Sequence, residues 1–165
     1  QADLEKALRI GSLNLRGTYE DTGLLLKTEE DNDNPKDTPL AKDLAKQVKA
    51  RGIKFSPKNP VMIPLIGLEL QRADNNYGLT FKLGEDAEIY EAPILSEDGK
   101  FNSEDIDEKT GLPKKLSDGV RNFHTKNSGL SRLCLSDYLV PSSYIRYWDD
   151  SSDEGRVVVV RNKQN

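Results

Sequence analysis

One segment of the chain carries apolar residues at the spacing of a helix. Leu40, Leu44 and Val48 recur every four residues, which places all three on one face of an α-helix. Thr38 before them is a candidate N-cap, the proline after it suits the first helical position, and a glycine follows where a left-handed residue would end the helix. The pattern predicts one principal amphipathic helix over residues 39–51.

Most other apolar residues alternate with polar residues or form short runs, as is typical of β-strands. Strands are predicted at residues 10–16, 24–28, 61–70, 79–83, 87–90, 130–135 and 157–160. Pro64 lies inside the third run and has no N–H for a ladder hydrogen bond, so we expect a sheet edge or a bulge there. Consecutive valines in the last run favour a strand, because side chains branched at Cβ pack well on a pleated sheet.

Turn residues between these runs predict which strands are neighbours. Residues 24–28 are expected to return antiparallel to residues 10–16 after a glycine-containing turn. A second turn, Gly84–Asp86, is expected to close a tight hairpin between residues 79–83 and 87–90.

Together these elements predict a single α+β domain over residues 1–165. It is β-dominated, a small barrel or sandwich of about six or seven mostly antiparallel strands with the one amphipathic helix. Residues 29–37 contain no apolar side chain and are expected to be a solvated acidic connection. Residues 96–119 are rich in turn residues and are expected to form a long surface loop.

The composition limits the size of the core and the compartment. The chain has 165 residues, of which 32% are charged and 35% are hydrophobic, with a formal net charge of -4; these values fit one domain with a thin core. No run approaches the roughly 18 apolar residues of a membrane span, so no membrane segment is expected. Cys134 is the only cysteine, which excludes an internal disulfide and suits a reducing, cytoplasmic location.

The residue types needed for catalysis are few. His124 is the only histidine, and a single histidine with a single cysteine leaves no His/Cys metal site. Asp and Glu could still hold Mg²⁺ or Ca²⁺, but their spacing matches no calcium-binding loop, so no metal or cofactor is expected. Glycine-rich phosphate loops, dinucleotide fingerprints and nucleophile elbows are absent from the sequence. An enzyme, such as a hydrolase, would have to bring His124 to a distant carboxylate, for instance one from residues 97–108.

Charge along the chain is uneven. Residues 42–58 contain six basic side chains and one acidic side chain, a local net charge of +5. A positive surface attracts phosphates, and Tyr90 supplies an exposed aromatic ring on which a base could stack. The nucleic-acid candidates are therefore Lys42, Lys46, Lys49, Arg51, Lys54, Lys58 and Tyr90. An ordinary solvent-exposed, lysine-rich helix face explains the same pattern.

A second surface candidate lies near the C-terminus. It combines tyrosines, the only tryptophan and an arginine, which is the composition of protein-interface hot spots. Its members are Tyr138, Tyr144, Arg146, Tyr147 and Trp148. The same aromatic residues would also serve to anchor an irregular segment on the core.

Three function classes follow from these features. The first is a soluble, non-catalytic binding or adaptor domain with a protein partner, because surface clusters are present and a catalytic set is not. The second is a single-stranded nucleic-acid-binding β-barrel that uses the basic helix and the loop after it. The third is the enzyme whose site residues come from distant loops.

Overall fold

The computed structural model describes residues 20–135 and 141–143. They form a β-rich α+β fold, which confirms the predicted class. Its elements are β1 (Glu20–Leu26), α1 (Thr38–Ala50), β2 (Val61–Pro64), β3 (Leu68–Arg72), β4 (Leu79–Leu83), β5 (Tyr90–Glu91), β6 (Gly99–Phe101), β7 (Arg121–Thr125), β8 (Leu130–Leu135) and β9 (Pro141–Ser143), with short 3-10 turns at Pro35–Asp37 and Pro93–Leu95.

Seven of the strands form one open sheet in the order β5-β2-β1-β8-β9-β7-β6, and β3 pairs with β4 in a separate hairpin. All neighbouring strands are antiparallel except β7 and β9, which are parallel. The described strands do not close into a barrel, so that part of the prediction is wrong. The two outer strands, β5 and β6, are only two and three residues long and lie at opposite ends of the sheet.

The open sheet is covered on both faces. Because side chains alternate along a strand, Leu24 and Leu26 of β1 pack with α1 on one face, while Leu25 packs on the other face. The second face is covered partly by residues 96–119, the predicted surface loop. This segment contains β6, and three of its side chains, those of Phe101, Ile106 and Leu112, belong to the buried apolar cluster on this face.

The predicted helix is confirmed almost to the residue. Leu40, Leu44 and Val48 are all buried, and the glycine after the helix adopts the expected left-handed conformation, with φ of 76° at Gly52. Thr38 differs from the prediction, because it is the first helical residue and its hydroxyl accepts a hydrogen bond from the backbone N–H of Asp31 at 3.1 Å.

The predicted hairpin between residues 79–83 and 87–90 is wrong. Residues 61–70 are not one strand, since β2 ends at Pro64 and the chain turns at Gly67, where φ is 89°. The second half of that run, β3, is the partner of β4, and β5 pairs with β2 instead. Both edges of β4 are already occupied, one by β3 and the other by Gln47. The Arg51 guanidinium binds the carbonyls of Gly84 and Ala87 in the turn that follows.

Two other predicted strands, 10–16 and 157–160, lie outside the described residues. The first was expected to pair with β1. In the described part of the chain, β1 has β2 on one side and β8 on the other.

The acidic connection 29–37 is solvated only in part, because the side chains of Asp31 and Asp37 are buried. The Asp31 carboxylate forms a buried ion pair with Lys126 and accepts the backbone N–H of Asn34 at 2.8 Å. A Cβ at Gly129 would come within 2.6 Å of that carboxylate, so the glycine leaves the space for it. A buried, hydrogen-bonded pair of charges therefore ties this connection to the turn between β7 and β8.

Substituting Lys126→Met should strongly destabilise the fold, because it leaves the buried Asp31 carboxylate without its counter-charge. We expect the free energy of unfolding to fall by about 3 kcal/mol in a urea titration. Lys115→Met is the control, since Lys115 pairs with Asp105 at 3.5 Å on the surface, and its loss should cost less than about 1 kcal/mol. Equal effects of the two substitutions would contradict a buried ion pair.

Candidate functional site

Gln47 of α1 binds the backbone of the β3–β4 hairpin. The Gln47 side-chain amide donates to the carbonyl of Phe81 at 2.8 Å and accepts the backbone N–H of Leu83 at 2.8 Å. Nearby, Thr80 donates to the Asp43 carboxylate at 3.0 Å. Gln47 thus binds the outer edge of β4 as a neighbouring strand would.

The turn of the hairpin is attached at the other end of α1. Asn75 shapes this turn, because its side chain accepts the N–H of Tyr77 at 2.9 Å and donates to the carbonyl of Leu79 at 2.8 Å. The Tyr77 hydroxyl then donates to the buried Asp37 carboxylate at 2.5 Å. Burial raises the pKa of Asp37, while the hydrogen bond from Tyr77 and the charge of Lys126 oppose that rise.

A groove of about 540 Å³ lies between this hairpin, β1 and the start of α1; we call it the hairpin groove. Its polar lining consists of a few side chains, while its walls are mainly apolar. The apolar residues are Leu24, Leu40, Leu65, Leu70, Leu79 and Phe81. Leu70 and Leu79 are 65% and 42% exposed, so the groove presents apolar surface to water.

One end of the hairpin groove carries a charged pair. The Arg132 guanidinium lies 3.3 Å from the Asp21 carboxylate, and both side chains are partly exposed. An apolar hollow of several hundred Å³ with a few polar groups at its edge has the character of a ligand-binding site. A large apolar surface left open to water is also typical of an interaction site.

The basic candidates on and after α1 do not form one continuous free patch. Lys42 lies 3.5 Å from Glu30, Lys49 forms an ion pair with Glu29, and Arg51 binds backbone carbonyls. Of these candidates, Lys46, Lys54 and Lys58 have no such partner among the described residues, and all three are exposed.

Tyr90 is partly buried rather than freely exposed. Its hydroxyl hydrogen-bonds to Glu88, which raises the pKa of Tyr90 to about 12, and the ammonium of Lys109 lies 5.0 Å from the ring centroid. One face of the ring is therefore already in contact with a cation. The protein-interface candidates lie outside the described residues; they are Tyr138, Tyr144, Arg146, Tyr147 and Trp148.

His124 does contact a carboxylate from residues 97–108, the segment proposed to supply its partner in an enzyme. Its Nδ1 lies 3.5 Å from Oδ2 of Asp98, whose Oδ1 accepts the backbone N–H of Thr125 at 2.7 Å. Both side chains of the pair are more than half exposed, at 51% and 63%. Cys134 of β8 is not adjacent to His124 of β7. The strand β9 lies between them and separates the backbones of β7 and β8 by roughly 10 Å. The described residues also hold no cluster of three or more metal-ligating side chains.

Lys27, at the end of β1, is 1% exposed and donates to the carbonyl of Ser96 at 2.7 Å. Burial lowers the pKa of Lys27 to about 8, and the charge of Asp98 offsets part of that effect. Hydrophobic patterning does not reveal the burial of this lysine. Lys27 follows three leucines, so the pattern indicates that the apolar run ends there.

Sequence reasoning also missed the hairpin groove. Leu79 and Phe81 alternate as a strand does, but the pattern assigned their face to the core rather than to a groove. Gln47 carries no signal, because an amide at a half-exposed helix position is ordinary. Leu70 belongs to the apolar run 61–70 that predicts a single strand, and it is exposed because that run is interrupted after Pro64.

No protein-family model, curated protein or solved structure matches this chain. Among the described residues, no helix has both the length and the hydropathy needed to cross a bilayer. The groove geometry is therefore the basis for assigning a function.

Lys27 should give the protein a specific pH dependence. Its pKa is about 8 when folded and about 10.4 when unfolded, so between these values the unfolded chain binds more protons and stability rises with pH. Relative to Lys27→Met, the wild type should gain up to about 1.4 kcal/mol per pH unit across this window. Urea titrations from pH 7 to pH 10 measure it.

The exposed Lys100 provides the control, and Lys100→Met should keep the wild-type slope. Parallel stability curves for the wild type and Lys27→Met would show that the Lys27 ammonium is not desolvated in the folded state.

Proposed function

We propose that this chain is a non-catalytic binding domain that holds apolar side chains of a protein partner in the hairpin groove. The observation that carries the proposal is the groove itself, about 540 Å³ in volume and walled by leucines and Phe81. Leu70 lies at its opening with 65% of its surface exposed.

Energetics support a partner at this place. Each Å² of apolar surface removed from water contributes roughly 25 cal/mol, and Leu70 and Leu79 are not covered by described residues. The groove is fixed on both sides, by Gln47 at β4 and by Tyr77 at the turn. A preformed site loses less conformational entropy on binding.

The non-catalytic assignment is supported by the geometry around the reactive groups. His124 of β7 and Asp98, which precedes β6, are exposed and are not among the residues that line the hairpin groove. Groups that act together in general acid–base catalysis need a substrate within hydrogen-bond reach. We therefore place binding, rather than chemistry, at the groove.

A nucleic-acid-binding role is the second candidate, and one observation favours it. Lys46, Lys54 and Lys58 are exposed and have no ion-pair partner among the described residues. Contacts from three lysines to phosphates would make oligonucleotide binding weaken steeply with salt. Binding of a single-stranded oligonucleotide at low salt, lost in the Lys46→Glu, Lys54→Glu, Lys58→Glu triple variant, would favour this role over the first.

The protein-binding role is tested with peptides as the probe. Random dodecapeptides displayed on phage are selected on the immobilised full chain, and an enriched peptide is measured by fluorescence anisotropy. Leu70→Asp should weaken its binding at least about tenfold, because a carboxylate at the opening disfavours apolar contact. Val120→Asp is the matched control, since Val120 is 89% exposed and does not line the groove.

Equal affinities of the wild type and Leu70→Asp would refute the groove as the binding site. Failure to enrich any peptide would refute the proposed function as a whole. A melting curve of each variant confirms that both are folded before affinities are compared.

A further inference from the structure

The two sheets of the described chain have four outer strands, and three of them are protected. Two of these, β5 and β6, are only two and three residues long. The outer edge of β4 is occupied by Gln47. The remaining outer strand is β3, which has five residues, no proline and no bulge. Long, unprotected edges of this kind accept another strand.

The contacts of Gln47 fix the direction of the backbone groups of β3. In an antiparallel pair, residues alternate between those that bond to the partner strand and those that point away. Phe81 and Leu83 bond to Gln47, so they point away from β3. Leu70 is the register partner of Phe81, and its N–H and C=O therefore point outward as well.

The same alternation applies along the strand. Arg72 lies opposite Leu79, and its backbone N–H and C=O also point outward. The N–H of Ala73, by contrast, bonds inward to the carbonyl of Gly78 at 3.1 Å. At the other end, Gly84 bonds inward to the carbonyl of Gly67 at 2.8 Å, in agreement with this assignment. Neither Leu70 nor Arg72 has an outward backbone hydrogen bond to another described residue.

A peptide backbone in extended conformation is the chemical group that matches this edge. The outward N–H of Leu68, at the start of β3, is bonded to the carbonyl of Leu65 at 3.1 Å. The outward N–H and C=O groups of Leu70 and Arg72 remain, two residues apart at roughly 7 Å, which is the repeat of another strand. The apolar opening of the hairpin groove lies beside them, because Leu70 belongs both to the edge and to the groove. A strand bound here would gain main-chain hydrogen bonds and side-chain burial together.

Charge at the start of β3 indicates the composition of such a strand. A second hollow, of about 490 Å³, is lined there by the acidic side chains of Glu69, Glu85, Asp86 and Glu88 and by the 83% exposed Ile66. Glu69 and Glu88 have lysine partners at 3.6 and 3.8 Å. Glu85 and Asp86 have no ion-pair partner among the described residues, so a net negative charge remains.

We propose that an extended, basic segment of a partner protein adds to β3 as a third strand, with an apolar side chain in the hairpin groove and a lysine or arginine at the acidic hollow. This inference rests on the proposed function and specifies the class of partner. The acidic hollow favours a basic partner over a second copy of this chain, which would bring a second set of the same four carboxylates.

The first test uses the peptides selected on the full chain. Enriched sequences should alternate apolar and polar residues and carry basic residues towards one end. The backbone nitrogens of the peptide form two alternating sets, of which one faces β3. N-methylation of that set should weaken binding at least about tenfold, and N-methylation of the other set should leave it nearly unchanged. Equal loss with both sets, or no loss with either, would overturn strand addition.

The second test changes the protein edge without changing the groove. Arg72→Pro removes one outward N–H that β4 does not use, and it should weaken the selected peptide about tenfold. Arg72→Ala keeps that N–H and should stay within about twofold. Pro is tolerated on the outer side of an edge strand, and a melting curve for each variant confirms folding.

The third test addresses charge. The Glu85→Lys, Asp86→Lys double variant should weaken the same peptide several-fold at low salt and much less at high salt. An unchanged affinity would overturn the basic character of the partner.

The outcomes separate this inference from the proposed function. If Leu70→Asp weakens peptide binding but Arg72→Pro and N-methylation do not, binding in the groove stands and strand addition is overturned. Dimerisation of the free chain that Arg72→Pro abolishes would show that a second copy occupies the edge, and it would overturn the inference. Insensitivity to all of these changes would overturn both.

Discussion

The arrangement of this fold depends on the contact between one helix side chain and one strand. By bonding to the carbonyl of Phe81 and the N–H of Leu83, Gln47 fills the outer edge of β4 and holds the hairpin on α1 rather than on the open sheet. Two consequences follow from this one contact. The hairpin stands away from β1 and leaves a groove between them, and the alternation of backbone groups makes the far edge of β3 face water.

Function is attributed to the place where apolar exposure and an open strand edge coincide. Most exposed leucines on a protein surface need no explanation. Leu70 differs because it lies at the opening of a groove and also on a strand edge whose backbone groups point outward. His124 of β7 and Asp98, just before β6, are exposed and do not line the groove. The proposed role is therefore to hold a partner, with the exposed lysines Lys46, Lys54 and Lys58 as a separate surface.

The sequence was sufficient where short-range periodicity decides the structure. The spacing of Leu40, Leu44 and Val48 predicted α1 and its buried face, and β4 was recognised from its alternation. Pairing was not predictable, because residues with turn propensity stand at both ends of β4 and the contacts of Gln47 and Arg51 with this region are long-range. The groove shares this dependence, since a glutamine at position 47 has no distinctive pattern until β4 is placed against it.

Amide hydrogen exchange resolved by residue tests the central claim most directly, that Gln47 occupies one edge of the hairpin and leaves the other edge open. In the free protein, the amide of Leu83 should be protected, and so should the inward amides of Glu69 and Gln71, while those of Leu70 and Arg72 should exchange near the rate of unprotected backbone. Protection of Leu70 and Arg72 equal to that of their neighbours, or a fast-exchanging Leu83, would contradict the account.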